Sequence, residues 1–368
     1  MDGEFIHFYL YDIGSHIDLT SVTYKFPGIP DETKFKSKGT PKTIYIPKPL
    51  SLKTFYSENS KLDMFESLSR ITKIYEDGVI SFVLRMQFTD LSLEQLKELK
   101  YSEFIIHEKS YNVKSWIRDE FQTLSKKIED CVTFYSQENY VPKYERYTCF
   151  CITSNLGSPT IFLEENKKEL AILLTGENAQ ANLHNNQINN TLDHSFSYTD
   201  NDLSIFDYDR TIIFDSTKDY GDILLIIELA NYQLLELRVL DGFLDGWLNV
   251  AKEDIRKIFF KGRLYPGRLN KKLGRSIRIR YDMTFILERI ENVSKIIGDY
   301  YLAQIFTHLG ELFQLEKWSE SIRNRLRILD DIYLTGKTNI NEKLLLYVEL
   351  LLGIIEIVFL IFLLMEFF

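Results

Sequence analysis

From Leu344 to Met365 the sequence runs 22 residues with only Glu349 and Glu356 charged, and 17 of the 22 are Leu, Ile, Val or Phe. At 1.5 Å per residue, a helix over this run is about 33 Å long, against roughly 30 Å of bilayer hydrocarbon. On an insertion scale the apolar residues contribute about -5 to -10 kcal/mol together, and two acids near the centre cost about +5 to +7. The competing reading is a buried helix of a soluble bundle. Against it, Ile354 to Phe368 carries almost nothing polar on any face, and a soluble protein rarely leaves such a surface uncovered. The run is therefore expected to be a single transmembrane anchor. Arg325, Arg327, Lys337 and Lys343 precede it and no basic residue follows it, so the body is expected on the cytoplasmic side of a plasma (inner) membrane, or the matrix side in an organelle.

Glu349 and Glu356 are seven residues apart and share a helix face with Gly353. An acidic stripe of this kind does not sit comfortably against lipid. Either its carboxyls are neutral, or they meet other helices or a water-filled axis, which makes the anchor part of an oligomer. The plainer consequence is a pair of polar contacts that fix helix association. The sharper one is an ion-conducting or gating ring.

The residues before the anchor have an ordinary globular composition, with 45% apolar and 26% charged residues, which excludes wholesale disorder. Three cysteines, Cys131, Cys149 and Cys151, do not make a disulfide framework and point to a reducing compartment. A net charge of -9 confines any nucleic-acid or lipid binding to a local patch. Met1 to Leu10 has Asp2 and Glu4 and no basic stretch, so it reads as a strand and not as a signal peptide.

Short apolar, aromatic-rich runs alternate with polar turns over residues 1–215. Strands are expected at Phe5 to Tyr11, Lys42 to Ile46, Gly78 to Phe88, Cys149 to Thr153, Ser195 to Tyr198 and Ile212 to Asp215. Helices are expected at Leu62 to Glu76, Ser92 to Lys100, Ser115 to Ser136 and Glu165 to Thr175. This is the pattern of an α+β domain, with ferredoxin-like split-βαβ units as one arrangement.

Residues 216–340 change character to a long helical hairpin or coiled-coil region, followed by the anchor at 341–368. Apolar stripes predict long helices over Asp219 to Phe260, Ser276 to Phe313, and from Leu315 toward the membrane, with a turn at Thr335 to Asn339. If the last two helices turn near Phe313, Leu344 lies about 45 Å from that turn and level with about residue 283. That places the preceding loop near the headgroups. Lys252 to Arg280 holds eleven Lys or Arg against Glu253 and Asp254. At about 1 kcal/mol per basic residue near an anionic leaflet, half of them suffice to dock it. Lys261, Arg263, Arg268, Lys271, Lys272 and Arg275 are the candidate lipid-headgroup ligands. The alternatives are a solvated positive loop and a phosphate or RNA site, and nucleic acid is not the expected partner.

Known catalytic signatures are missing: the sequence has no Gly-rich phosphate loop, nucleophile elbow or metalloprotease motif. Asp200, Asp202, Asp207, Asp209 and Asp215 fit turn and cap roles better than any cation loop. His184 and His194 are too far apart for a local ligand pair, and Cys149 and Cys151 read as core thiols. No catalytic residue, metal or cofactor is therefore expected.

Several segments of the helical half stand in a suggestive order. They are ELANYQLLELRVLDGFLD (Glu228 to Asp245), IIGDYYLAQIFTHLGELFQLEKW (Ile296 to Trp318), SIRNRLRILDDIY (Ser321 to Tyr333) and LLLYVELLLGIIEIVFLIFLL (Leu344 to Leu364), with YEDGVISFVLR (Tyr75 to Arg85) upstream. Over residues 75–368 this order resembles the family named for being required for meiotic nuclear division. The resemblance implies an inner- or plasma-membrane protein that forms large homo-oligomers and carries no established catalytic residues. The Thr335 to Asn339 turn and the absent targeting peptide favour a bacterial relative over the organellar members. The expected function is a non-enzymatic, oligomeric, membrane-anchored scaffold. The rivals are a CorA-like cation channel or transporter, from which the chain departs by having one spanning helix and no Gly-Met-Asn loop, and a membrane-coupled ligand sensor.

Overall fold

The computed structural model describes residues 1–26, 29–30, 49–56, 60–62, 64–99, 102–106, 108–133, 142–177, 182–261, 299–366 and individual positions between 271 and 288. It divides into two units, Met1–Glu236 with Arg289–Glu316, and Leu237–Glu288 with Lys317–Phe368.

The first unit is built on one sheet. Its strands are β1 (Gly3–Asp12), β2 (Ile29–Pro30), β3 (Leu50–Tyr56), β4 (Ser67–Ile74), β5 (Val79–Phe88), β6 (Tyr144–Ile152), β7 (Ser195–Phe196), β8 (Asp202–Phe206) and β9 (Arg210–Asp215). They lie in the order β7-β8-β9-β6-β1-β5-β4-β3-β2. Every neighbouring pair is antiparallel except β6 with β9. A parallel pair needs a long crossover, and here the connection carries α4 (Pro159–Glu165), α5 (Lys167–Thr175) and α6 (Asn185–Leu192) before returning through β7 and β8. Earlier in the chain come α1 (Leu19–Lys25), α2 (Leu93–Glu98) and α3 (Val113–Ile128).

β1 lies at the centre, paired along its length with β5 and β6. It reads as an unbroken apolar run because both of its faces are covered. Phe5, Phe82, Leu84, Phe150, Ile212 and Phe214 on one face share a core with Leu96 of α2, Trp116 and Ile117 of α3, Leu163 of α4 and Leu170 of α5. On the opposite face Ile6, Phe8, Leu10, Cys149, Cys151 and Ile213 are buried as well. Polar contacts tie that face to the start of α7 (Gly221–Lys261): Tyr220 donates to Glu4 at 3.1 Å, and Lys73 and Ser81 bond to Glu228.

The expected mixed α+β architecture is the one observed. The expected helix over Leu62 to Glu76 is instead β4, whose Leu68, Thr72 and Ile74 are buried opposite Met86, Phe82 and Ile80 of β5. Lys42 to Ile46 lies outside the described residues. Two capping boxes start the helices of the first face, Ser92 with Gln95 before α2 and Asn112 with Ser115 before α3.

In the second half α8 (Tyr300–Leu312) starts at a cap on Asp299. Asp299 is extended and its side chain accepts from the Leu302 N–H at 3.0 Å, so the expected continuous helix over Ser276 to Phe313 is interrupted at this cap. Gln314, at φ 56°, makes the turn into α9 (Leu315–Glu366), which runs 52 residues without the expected break at Thr335 to Asn339. Gly336 costs such a helix only about 1 kcal/mol, and the Thr338 hydroxyl bonds back to the Leu334 carbonyl.

Candidate functional site

Among the described residues α9 is the one helix long and apolar enough to cross a membrane. Its first half is anchored in the second unit, where Ile322, Leu326, Leu329 and Tyr333 are buried. Its second half is bare: the large apolar side chains from Leu344 to Phe362 are 44–69% exposed on every face of the helix. A buried core helix has the opposite profile. Glu349 and Glu356 lie exposed along this stretch, and a side chain added at Gly353 would meet nothing within 4 Å. The small residue thus leaves a shallow notch beside the acidic stripe.

Within the second unit, α7 and α9 lie side by side and run parallel. Arg238 stacks on Trp318, Arg325 pairs with Asp241 and Asp245, and the Tyr333 hydroxyl reaches Asp254 at 3.3 Å. Each contact joins residues about eighty apart, so both helices advance together at 1.5 Å per residue. Extended by the same register, Lys261 at the end of α7 stands level with about residue 341, just before the apolar run begins. This replaces the ruler along residues 276–313, which the cap at Asp299 interrupts.

Of the candidate headgroup ligands, Arg263, Arg268 and Arg275 lie outside the described residues, as does the side chain of Lys261. Lys271 is exposed. Lys272 is half-buried and its ammonium pairs with Asp254, which is 2% exposed. Arg280 pairs with Asp330. The stretch therefore returns to the α7–α9 pair through at least two ion pairs.

The other sequence candidates take structural roles. Asp202 accepts from the backbone of Tyr198 and Thr199, and Asp215 from that of Thr217 and Asp219, both as turn caps. His184 caps α6 through the Asn186 N–H, and the His194 ring lies 4.8 Å from that of His308. Cys149 and Cys151 are free, fully buried thiols that burial pushes well above the usual range.

Two polar constellations in the first unit escape sequence inspection. Glu228, whose side chain is 2% exposed, accepts from Lys73 Nζ at 2.6 Å, Ser81 Oγ at 2.7 Å and the Tyr75 hydroxyl at 3.4 Å. His7 is buried at the floor of a cavity on the other face of the sheet, beside Arg146 and Arg210. A charged residue inside the apolar ILLIIELA and a histidine inside FIHFYLY were the available signals. Both break otherwise apolar runs.

Comparison with known proteins places residues 2–220 in the family described as "Uncharacterized protein MJ0711, N-terminal domain". A relative described as "Uncharacterized protein MJ0711", from Methanocaldococcus jannaschii, is 27% identical over 311 residues, covering 80% of this chain and 83% of the relative. No solved structure matches.

Proposed function

The chain belongs to the family of the MJ0711 N-terminal domain, and on that premise we propose that it is a non-enzymatic, oligomeric scaffold held at a membrane by α9. Its folded units face the cytoplasm. The observation that carries the reading is the apolar half of α9, which no part of the described chain covers. Leaving that much apolar surface in water is unfavourable at about 25 cal/mol per Å², whereas hydrocarbon accommodates it at no such cost.

The side follows from the basic residues that precede the run. The α7–α9 register supports a second contact, because it brings the start of the stretch containing Lys261, Arg263, Arg268, Lys271, Lys272 and Arg275 level with the apolar boundary, where anionic headgroups attract basic side chains. Glu349 and Glu356, one helical stripe apart from lipid-compatible neighbours, support association between copies of α9, with Gly353 allowing close approach. The resemblance of the helical half to the family required for meiotic nuclear division supports the same oligomeric, membrane-bound reading.

The mass of the full-length protein in mild detergent tests it. A multimer is expected, and each of Glu349→Leu and Glu356→Leu should weaken association by about 3- to 30-fold at roughly 0.6–2 kcal/mol per polar contact. A monomer refutes the scaffold. Cation flux in liposomes that Glu356→Leu abolishes would replace it with a channel.

A further inference from the structure

On the face of the sheet that packs against α2–α6 there is a cavity of about 440 Å³. Its floor is a cross-strand row from three neighbouring strands, since Arg210 of β9 pairs with Thr148 of β6 and Thr148 pairs with His7 of β1. Arg146 lies two residues before Thr148, on the same face and opposite Tyr9. One wall is the first turn of α3, carrying Lys114, where the helix dipole adds positive potential.

His7 is 9% exposed. Its Nδ1 lies 3.0 Å from the Thr148 hydroxyl, while Nε2, on the ring edge farther from the backbone, has no hydrogen-bond partner. Buried polar atoms are usually paired, with protein, ordered water or a ligand. The tautomer that accepts from Thr148 carries its proton on the buried Nε2. Burial, then the charges of Arg210 and Arg146, lower the pKa of His7 to about 3, which keeps the ring neutral at physiological pH.

Three cationic side chains line the cavity, Lys114, Arg146 and Arg210, against two carboxylates, Glu103 and Asp209. Glu103 accepts from the Ser110 hydroxyl at 2.9 Å, and Asp209 lies 3.6 Å from Arg210 Nε and 4.0 Å from Arg146. One positive charge remains, and Phe5, Phe150 and Val113 supply an apolar side.

We propose that this cavity binds a small organic phosphate, with its phosphoryl oxygens held by Arg146 and Lys114 above the neutral His7 and its carbon body against Phe5 and Phe150. The two cations come from separate elements, β6 and α3. A phosphate offers three oxygens in a tetrahedral array and a larger charge to meet both, whereas a carboxylate has only two oxygens in one plane and a single charge. The site lies wholly within the first unit and stands independently of the membrane reading.

Calorimetric titration of the full-length protein in detergent with phenyl phosphate, inorganic phosphate and benzoate tests the assignment. Saturable binding of phenyl phosphate is expected, at least tenfold tighter than of the other two. Arg146→Gln should weaken it tenfold or more and Lys114→Gln severalfold; both side chains reach solvent, so both variants should fold. Absence of saturable binding at millimolar phenyl phosphate overturns the proposal. So does benzoate or inorganic phosphate binding as tightly as phenyl phosphate, or wild-type affinity in Arg146→Gln.

Discussion

Replacing Lys73 by Met isolates the buried charge on which α7 meets the sheet. Lys73 and Ser81 face each other across β4 and β5, and Glu228 of α7 lies against both. The side chains of the ion pair are 11% and 2% exposed, so neither end is well screened. Without the ammonium, the Glu228 carboxylate retains only the hydroxyls of Ser81 and Tyr75 among these donors. Breaking a buried pair from one side costs about 3–5 kcal/mol. At about 2–4 °C per kcal/mol for a unit of this size, the midpoint of thermal unfolding should fall by roughly 6–20 °C. Removing both charges, in Lys73→Met with Glu228→Leu, restores most of the loss, because no charge is then left alone. The Ser81 and Tyr75 hydroxyls lose their acceptor and retain a deficit of about 1–2 kcal/mol. A thermal and urea double-mutant cycle should give a coupling of at least about 3 kcal/mol. A Lys73→Met loss under about 1 kcal/mol, or additive losses in the double variant, would refute the argument that this pair fixes α7 on the sheet.

Acid should expose His7. Its folded pKa of about 3 lies below the unfolded 6.5, so between these values the unfolded chain binds the extra proton and stability is lost as pH falls. At pH 5 the loss is about 2 kcal/mol, and a His7→Phe variant should lose that much less between pH 7 and pH 5 in urea titrations; equal pH dependence would contradict the buried neutral ring. Gly78, at φ 96° in the turn between β4 and β5, should not accept a side chain, since a Cβ would lie 1.8 Å from the Gly14 carbonyl oxygen. Gly78→Ala is expected to lower the urea midpoint by the equivalent of at least about 2 kcal/mol with an unchanged slope, and a wild-type midpoint would contradict the close approach.

Elements whose burial matches their sequence period were legible. β1, β5 and the second half of β6, from Cys149, are apolar on both faces and read as strands, and the run from Leu344 reads directly as a candidate span. β4 misled because Leu68, Ile71 and Ile74 fall at helical spacing, while the strand buries Leu68, Thr72 and Ile74. A period-three pattern over eight residues fits either element until the neighbour is known. The cap at Asp299 was hidden by apolar periodicity on both sides of it, and the TGKTN stretch looked like a turn because local propensity says nothing about the α7 partner that holds α9. The two polar constellations were illegible for a deeper reason. Lys73 and Glu228 are 155 residues apart, and His7, Arg146 and Arg210 meet only through the register of β1, β6 and the parallel β9. Pairing of that kind is a tertiary fact with no local signature.

The central claim is that hydrocarbon, and not protein, covers the second half of α9. Alkaline carbonate extraction of membranes from cells expressing the full chain, beside a version ending at Lys343, tests it most directly. The full chain should remain in the pellet and the shortened one should be released as a folded protein. Release of the full chain as a monomer that needs no detergent would contradict the account.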